Sequence, residues 1–323
     1  MSFFKELNVS YEYENKEICS GRETLLKNEY WHQKLTFSHI DKIKKNNHQT
    51  IGIIGYACDA GVKRNQGRVG ARKGPKSIRK KLGKIPIHFE NKKIIDFGDV
   101  ICINDDLEDC QKAFSKIISR LIKFNIFPIA IGGGHDIAFA NFCGIKDAIK
   151  NKSKKIGIIN FDAHFDLRVV EKKSNSGTPF NQILNEYNDS SYFAIGIQKQ
   201  SNSKQLFEIA EKRKVLYSSN FECDKFGLKV KDKLSYFIEK MDYLYVTIDM
   251  DGFSSAYAPG VSAPSPIGFS PYFIFQALEF ILKSNKVISF DIAELNPEYD
   301  ADEKTADLAA RLIDFIVNKL SFD

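Results

Sequence analysis

The sequence has 323 residues, 43% of them hydrophobic and 27% charged, which excludes a disordered or fibrous chain and suits one large α/β domain with a substantial core. Its formal charge of +6 comes from lysines interleaved with acids, with runs at Lys42 to Lys45 and Lys152 to Lys155, so it describes a solvated surface rather than a nucleic-acid face. No basic stripe with spaced aromatics and no zinc-finger signature is present, which sets a nucleic-acid partner aside.

The opening MSFFKELNVSYEYENKE mixes acids and bases and holds no apolar stretch long enough for a signal peptide or membrane span. The expectation is a cytoplasmic protein with no membrane partner. Residues 1–50 read as an irregular, aromatic-rich N-terminal extension to a single domain spanning 1–323, since no repeat, low-complexity tract or linker divides the chain. Its six cysteines lie far apart without a C-x-x-C pair, and they read as buried reduced thiols rather than zinc ligands or a disulfide frame.

From Ile51 onward short apolar runs alternate with segments of helical period, the pattern of a parallel sheet wrapped by helices. The strand candidates are Ile51 to Ala57, Lys93 to Phe97, Phe127 to Ile131, Lys155 to Asn160, Tyr192 to Ile197, Lys214 to Tyr217, Tyr243 to Ile248 and Lys286 to Phe290. They amount to about eight strands with boundaries uncertain by a few residues. Runs such as IGIIG, IAIG and IGIIN lack polar alternation, as expected when helices cover both sheet faces. Leu107 to Lys123 and Thr305 to Leu320 carry apolar residues at helical spacing and read as core-facing helices.

The polar clusters fall just after strands, at the carboxyl edge where open parallel sheets bind ligands. Phe127 to Ile131 leads into Gly132-Gly133-Gly134-His135-Asp136, and Ile156 to Phe161 into Asp162-Ala163-His164-Phe165-Asp166. Tyr243 to Ile248 leads into Asp249-Met250-Asp251. Alternate positions in an extended segment project to one side, so Asp162, His164 and Asp166 form a candidate cation site, with Asp249 and Asp251 adding the same alternation. The glycines permit unusual backbone and close approach, leaving His135 to face the same edge.

Two imidazoles and four carboxylates carry a formal charge of −4, which two divalent cations balance. Without metal, four like charges buried together repel and raise one another's pKa values, so the cluster makes poor sense as packing. The oxygen-rich set without thiolate favours Mn²⁺, and the affinity order leaves Zn²⁺, Co²⁺ and Fe²⁺ open. Taken singly, GGGHD reads equally as a strand-ending turn, and Asp249 and Asp251 as helix caps. A phosphate cradle is a poorer reading of GGGHD, because no Lys-Ser/Thr follows the glycines.

The ordered motifs GGGHD, NFDAHFD, TIDMD and DIAELNP resemble those of the arginase and agmatinase superfamily of ureohydrolases. The resemblance implies a three-layer α/β/α domain with an eight-stranded parallel sheet and two Mn²⁺ per subunit. It implies one metal on His135, Asp162, Asp166 and Asp249 and the other on His164, Asp162, Asp249 and Asp251, with Asp162 and Asp249 bridging. The stretches GVKRNQGRVGARKGP, NFDAHFDLR, SGTPFNQI, APGVSAPSP and DIAELNPEYD are similar to the formimidoylglutamase branch, which splits N-formimidoyl-L-glutamate into L-glutamate and formamide in histidine degradation.

Two departures from arginases bear on the substrate. The loop after DAHFD reads Ser176-Gly177-Thr178-Pro179-Phe180 where arginases carry a histidine, and no histidine occurs from Arg168 to Leu234, so a histidine proton shuttle is missing. Arg168 stands where arginases have an uncharged residue, and a guanidinium there suits a substrate with two carboxylates. The bland alternative for Arg168 is a surface side chain.

The reading is therefore hydrolysis by a metal-bridging hydroxide. Glu294 holds the amidine, Asp166 protonates the departing amine, and Arg168 and Ser176 contact the small-molecule substrate. Three alternatives stay open: another ureohydrolase acting on arginine, agmatine or a guanidino acid, a non-catalytic metal-binding protein on the same fold, and a nucleotide-binding α/β protein. A homo-oligomer also stays open.

Overall fold

In the computed structural model the described residues are 4–13, 19–45, 50–149, 151 and 153–321. Lys152 of the second lysine run and parts of the first fifty residues lie outside them. The strands are β1 (Val9–Glu12), β2 (Thr36–Phe37), β3 (Thr50–Ala57), β4 (Lys93–Cys102) and β5 (Ile126–Ile131). They continue with β6 (Ile156–Phe161), β7 (Ser190–Ile197), β8 (Leu216–Ser219), β9 (Tyr243–Asp249) and β10 (Val287–Ala293). The helices are α1 (Trp31–Lys34), α2 (Ala60–Arg64), α3 (Gly74–Leu82), α4 (Leu107–Lys123) and α5 (Ile137–Ala148). After them come α6 (Pro179–Glu186), α7 (Lys204–Lys212), α8 (Leu228–Glu239), α9 (Pro271–Leu282) and α10 (Lys304–Lys319).

All the strands join one sheet in the order β1-β4-β3-β5-β10-β9-β6-β7-β8, with β2 also on β4. Every residue of β3 and of β6 is buried, because helices cover both faces. Side chains alternate between two cores. Ile159, Phe161, Val246 and Ile248 pack with α3, α8, α9 and α10, while Ile158, Tyr192 and Tyr245 pack with α4, α5, α6 and α7. The result is a three-layer α/β/α arrangement.

The long helices begin where local chemistry stops extended chain. Asp106 caps α4 by accepting the Asp109 N–H at 3.1 Å, with Glu108 and Asp109 in the first turn and Arg120 and Lys123 in the last. Ser270 caps α9 in the same way, and Pro271 opens it.

The expected strand count was eight, and the sheet has ten strands. All eight candidates are present, and the additions are β1 and β2, which pair along β4. β1 is antiparallel, so the sheet is mostly rather than wholly parallel. Both are short and only partly buried, and they cover one side of β4 without an apolar run of their own. The strand expected from Lys214 starts at Leu216 instead, because Lys214 turns the chain with φ of 56°. All six cysteines are free thiols. Among the described residues no helix is long and apolar enough to cross a membrane.

Candidate metal centre

The clusters converge because their strands are close neighbours. β9 lies beside β6, and β10 separates β9 from β5, so the carboxyl ends of β5, β10, β9 and β6 stand side by side. At the end of β5, Gly132 and Gly133 adopt φ of 93° and 67°. A Cβ on Gly133 would sit 2.5 Å from the Tyr56 carbonyl oxygen, so only glycine lets the chain turn there and deliver His135. After β6 the alternation expected for Asp162, His164 and Asp166 does not persist as extended chain, since Asp166 has φ of 47°. Its carboxylate is nevertheless delivered to the same point, and this strained turn is of the kind that persists where surroundings demand it.

His135 is the hub. Its Nδ1 lies 3.1 Å from Asp162 Oδ2 and 3.0 Å from both Asp166 Oδ2 and Asp249 Oδ2. Nδ1 and the Asp251 Oδ1 are buried without a hydrogen-bond partner among the described residues. Four such donor atoms around one point, from His135, Asp162, Asp166 and Asp249, could hold a metal ion. A second point lies between Asp162, His164 and Asp251, with His164 Nδ1 3.2 Å from Asp251 Oδ2 and 3.4 Å from Asp162 Oδ1. Asp162 belongs to both groups, whereas Asp249 belongs to the first, its Oδ1 accepting the Asp251 N–H at 2.7 Å.

The electrostatics show what the cluster lacks. Burial opposes a charge on His135, yet Asp249 and its neighbours override it and push the imidazole well above its usual range. His164 is raised in the same sense, against burial, chiefly by Asp251. Burial and then Asp162 push the Asp166 carboxyl up to about 6. Burial, Asp251 and Asp162 raise Asp249 further. The site draws in positive charge wherever a proton can supply it, which divalent cations do better. The donors are nitrogen and oxygen without sulfur, a set that fits Mn²⁺.

Behind His135 lies a network that sequence reasoning missed. His135 Nε2 is 2.9 Å from Thr247 Oγ1, and that hydroxyl donates to Asp291 Oδ1 at 2.5 Å. With its proton committed to Asp291, Thr247 accepts from the ring, so Nε2 carries the hydrogen and Nδ1 keeps its lone pair for the centre. Asp291 also accepts from the Tyr245 hydroxyl and from Asn141 Nδ2, the latter at 2.8 Å. Thr247 and Asp291 are cross-strand partners of β9 and β10. Both sit inside motifs visible in the sequence, but the signal lies in the strand register.

Glu294 is buried rather than an exposed loop residue, and its φ of 66° is left-handed. Its Oε1 accepts the His135 N–H at 2.8 Å, and its own N–H donates to the Gly133 carbonyl at 2.8 Å, which ties it to the glycine turn. Burial, then Asp251, pushes its carboxyl up to about 8. A cavity of about 310 Å³ opens above the cluster, with Asp166, Asp249, Asp251 and Glu294 in its lining and Arg168, Ser176 and Asn65 at its side. That volume suits a small molecule.

Ser176 is buried, and its Oγ accepts from Asn65 Nδ2 at 3.2 Å. Arg168 is exposed, and its guanidinium has no hydrogen-bond or ion-pair partner among the described residues. Gly177 leaves room for it, since a Cβ there would lie 2.9 Å from Arg168 Cδ. The cavity's other guanidinium, Arg68, is occupied: its Nε donates to the Ser262 carbonyl at 3.0 Å and it stacks 3.9 Å over Tyr299.

The family model described as arginase family matches residues 49–317. A formimidoylglutamase from Clostridium tetani (strain Massachusetts / E88) is 37% identical, the alignment covering 98% of each chain. The crystal structure of formimidoylglutamase from Bacillus subtilis subsp. subtilis str. 168 superposes with a TM-score of 0.82 at 22% identity, covering 94% of this chain and 96% of that one, a likeness of fold. The crystal structure of Trypanosoma cruzi formiminoglutamase with Mn²⁺ superposes with a TM-score of 0.76 at 25% identity, covering 87% of this chain and 98% of that one. With the family model spanning most of the sequence and a relative of this identity over nearly its full length, the chain belongs to the arginase family and is a hydrolase.

Proposed function

We propose that this enzyme hydrolyses N-formimidoyl-L-glutamate to L-glutamate and formamide, as a cytoplasmic step of histidine degradation, with two Mn²⁺ per subunit. The observation that carries the substrate is Arg168, a guanidinium without a partner among the described residues, at the side of a cavity lined by carboxylates. It offers a substrate carboxylate a planar two-bond partner, which a neutral or cationic substrate tail cannot use. The formimidoylglutamase from C. tetani and the formiminoglutamase from T. cruzi support the same substrate, and the latter's structure with Mn²⁺ supports the metal.

His135, Asp162, Asp166 and Asp249 would hold one cation, and Asp162, His164 and Asp251 the other, with the resemblance adding Asp249 to the second set. Two divalent cations held there would supply an acidified water and Lewis-acid polarisation of the amidine, the contribution of paired metals in hydrolases. The rest falls to side chains. Thr247 and Asp291 hold His135 in the ligating tautomer. Glu294 turns a buried carboxylate toward the amidinium, whose positive charge offsets the burial that keeps this carboxyl protonated. Water adds to the amidine carbon, the bond from that carbon to the glutamate nitrogen breaks, and Asp166 delivers the proton that the nitrogen takes up. That proton would come from the attacking water by way of the Asp166 carboxylate.

The test is a substrate panel on manganese-reconstituted protein: N-formimidoyl-L-glutamate, arginine and agmatine, with formamide and urea both measured. Formamide from the first alone is expected. Urea from either guanidine, with no formamide, overturns the assignment.

A further inference from the structure

A second group of side chains that could hold a metal ion lies beside the glycine turn and has different chemistry. Cys58 follows β3, Cys102 ends β4, and Cys110 lies in the first turns of α4. β3 and β4 pair with Ala57 opposite Ile101, so Cys58 and Cys102 occupy the next step of adjacent strands, and α4 brings Cys110 over them. Their sulfurs all lie within 4.8 Å of one another, and all three residues are buried. They are free thiols, so the proximity is not that of a disulfide.

We propose that Cys58, Cys102 and Cys110 form a thiolate site for a thiophilic cation of the Zn²⁺ class, separate from the nitrogen-and-oxygen centre. A cation with metal–sulfur bonds of about 2.3 Å needs its sulfurs about 3.8 to 4.0 Å apart, so the triad closes on one by shifts of under about 1 Å. Soft sulfur selects such ions over Mn²⁺, while the carboxylate centre has the opposite preference, so the chain sorts two metals by ligand type. Positive charge is already at hand, for Arg72 Nη2 donates to the Cys102 carbonyl at 3.2 Å. The neighbouring Cys110 and Cys58 side chains also lower the Cys102 pKa, which favours its ionising first.

The site also bears on the neighbouring centre. The Cys58 carbonyl accepts the Gly134 N–H at 3.0 Å, directly before His135. A cation held by Cys58 therefore braces the turn that delivers this histidine, and it raises the melting temperature of the manganese-loaded enzyme.

The experiment titrates manganese-loaded protein with Cd²⁺, whose sulfur-to-metal charge-transfer absorption reports thiolate ligation and is blind to cadmium among carboxylates. Wild type is expected to saturate at one equivalent per chain, with Zn²⁺ competing. Cys110→Ala, which suits a helix, is expected to weaken binding at least about tenfold, whereas Cys223→Ala, at a lone buried thiol, leaves the titration unchanged. Should Cys110→Ala fail to fold, alkylation of the wild type mapped by mass spectrometry gives the answer. Cd²⁺ then slows labelling at Cys58, Cys102 and Cys110 relative to Cys19 and Cys223. The proposal is overturned by absence of the absorption in wild type, by an unaltered titration in Cys110→Ala, or by equal slowing at every cysteine. A disulfide between two of the three, revealed by thiols that alkylate only after reduction, overturns it equally.

Discussion

The floor and the side of the active cavity are built on opposite principles. On the floor, His135, Asp162, Asp249 and Asp251 stand at the ends of central strands, each less than about a tenth exposed, with partners fixed by strand register. At the side, Arg168 and Asn65 extend from loops, and the Arg168 guanidinium makes no hydrogen bond or ion pair among the described residues. The difference teaches where rigidity is needed. A cation site requires atoms held to a few tenths of an ångström, which a packed sheet supplies. A group that meets a substrate must be free until the substrate arrives, which a loop supplies.

Breaking the floor is expected to have the largest effect. Asp162 contributes to both cation groups, so Asp162→Ala is expected to lose both metals and all measurable turnover, read by metal analysis and formamide release. Retained activity in that variant would remove the floor from the mechanism.

The side predicts a selective effect. Arg168→Ala is expected to lose a charged hydrogen bond worth roughly 1.5 to 3 kcal/mol, or about 10- to 150-fold in kcat/KM, with metal content unchanged. Arg168→Lys recovers only part of this, since a point charge lacks the planar two-bond fit. Activity on a formamidine without carboxylates should be poor already and hardly change. An unaltered ratio between the two substrates means that Arg168 does not read the carboxylate.

The layer beneath sharpens the comparison. Thr247→Val keeps the shape but cuts His135 from Asp291, and metal affinity is expected to fall about 10- to 100-fold, measured by chelator competition. Asn65→Ala, at the side, should leave that affinity alone. Equal effects from the two would erase the distinction between floor and side.

A smaller effect concerns pH and the metal-free protein. Glu294 is raised to about 8 and Asp166 to about 6 in the fold, both above their unfolded values, so the folded state holds protons that the unfolded state has lost. The stability that these two groups contribute is then fullest below the ordinary carboxylate range and declines as pH rises through about 4 to 8. The raised imidazoles of His135 and His164 act in the same direction at the upper end. Melting temperature of the metal-free protein should fall across that window, and the increment from Mn²⁺ should grow. An increment independent of pH contradicts the proton bookkeeping.

Much of the floor was legible because it is written locally: an apolar strand followed by metal-capable side chains needs no knowledge of neighbours. The buried strands showed as uninterrupted apolar runs for the same reason. β1 and β2 did not, because a few half-exposed residues along β4 leave no pattern. The role of Thr247 depends on its register opposite Asp291, and the Cys58, Cys102 and Cys110 cluster on packing among β3, β4 and α4. Reading the cysteines as buried reduced thiols rather than zinc ligands followed from spacing alone, which carries no such contact. Arg168 was visible as an unexpected charge, but its lack of a partner is a property of the folded chain.

The central claim is that the floor holds a pair of cations through two ligand groups sharing Asp162. Manganese content of reconstituted and desalted wild type and His164→Ala tests it most directly. The account predicts about two ions per wild-type chain and about one in His164→Ala, where His135, Asp162, Asp166 and Asp249 remain intact. A wild type that retains no manganese, or a His164→Ala variant that still holds two ions, contradicts it.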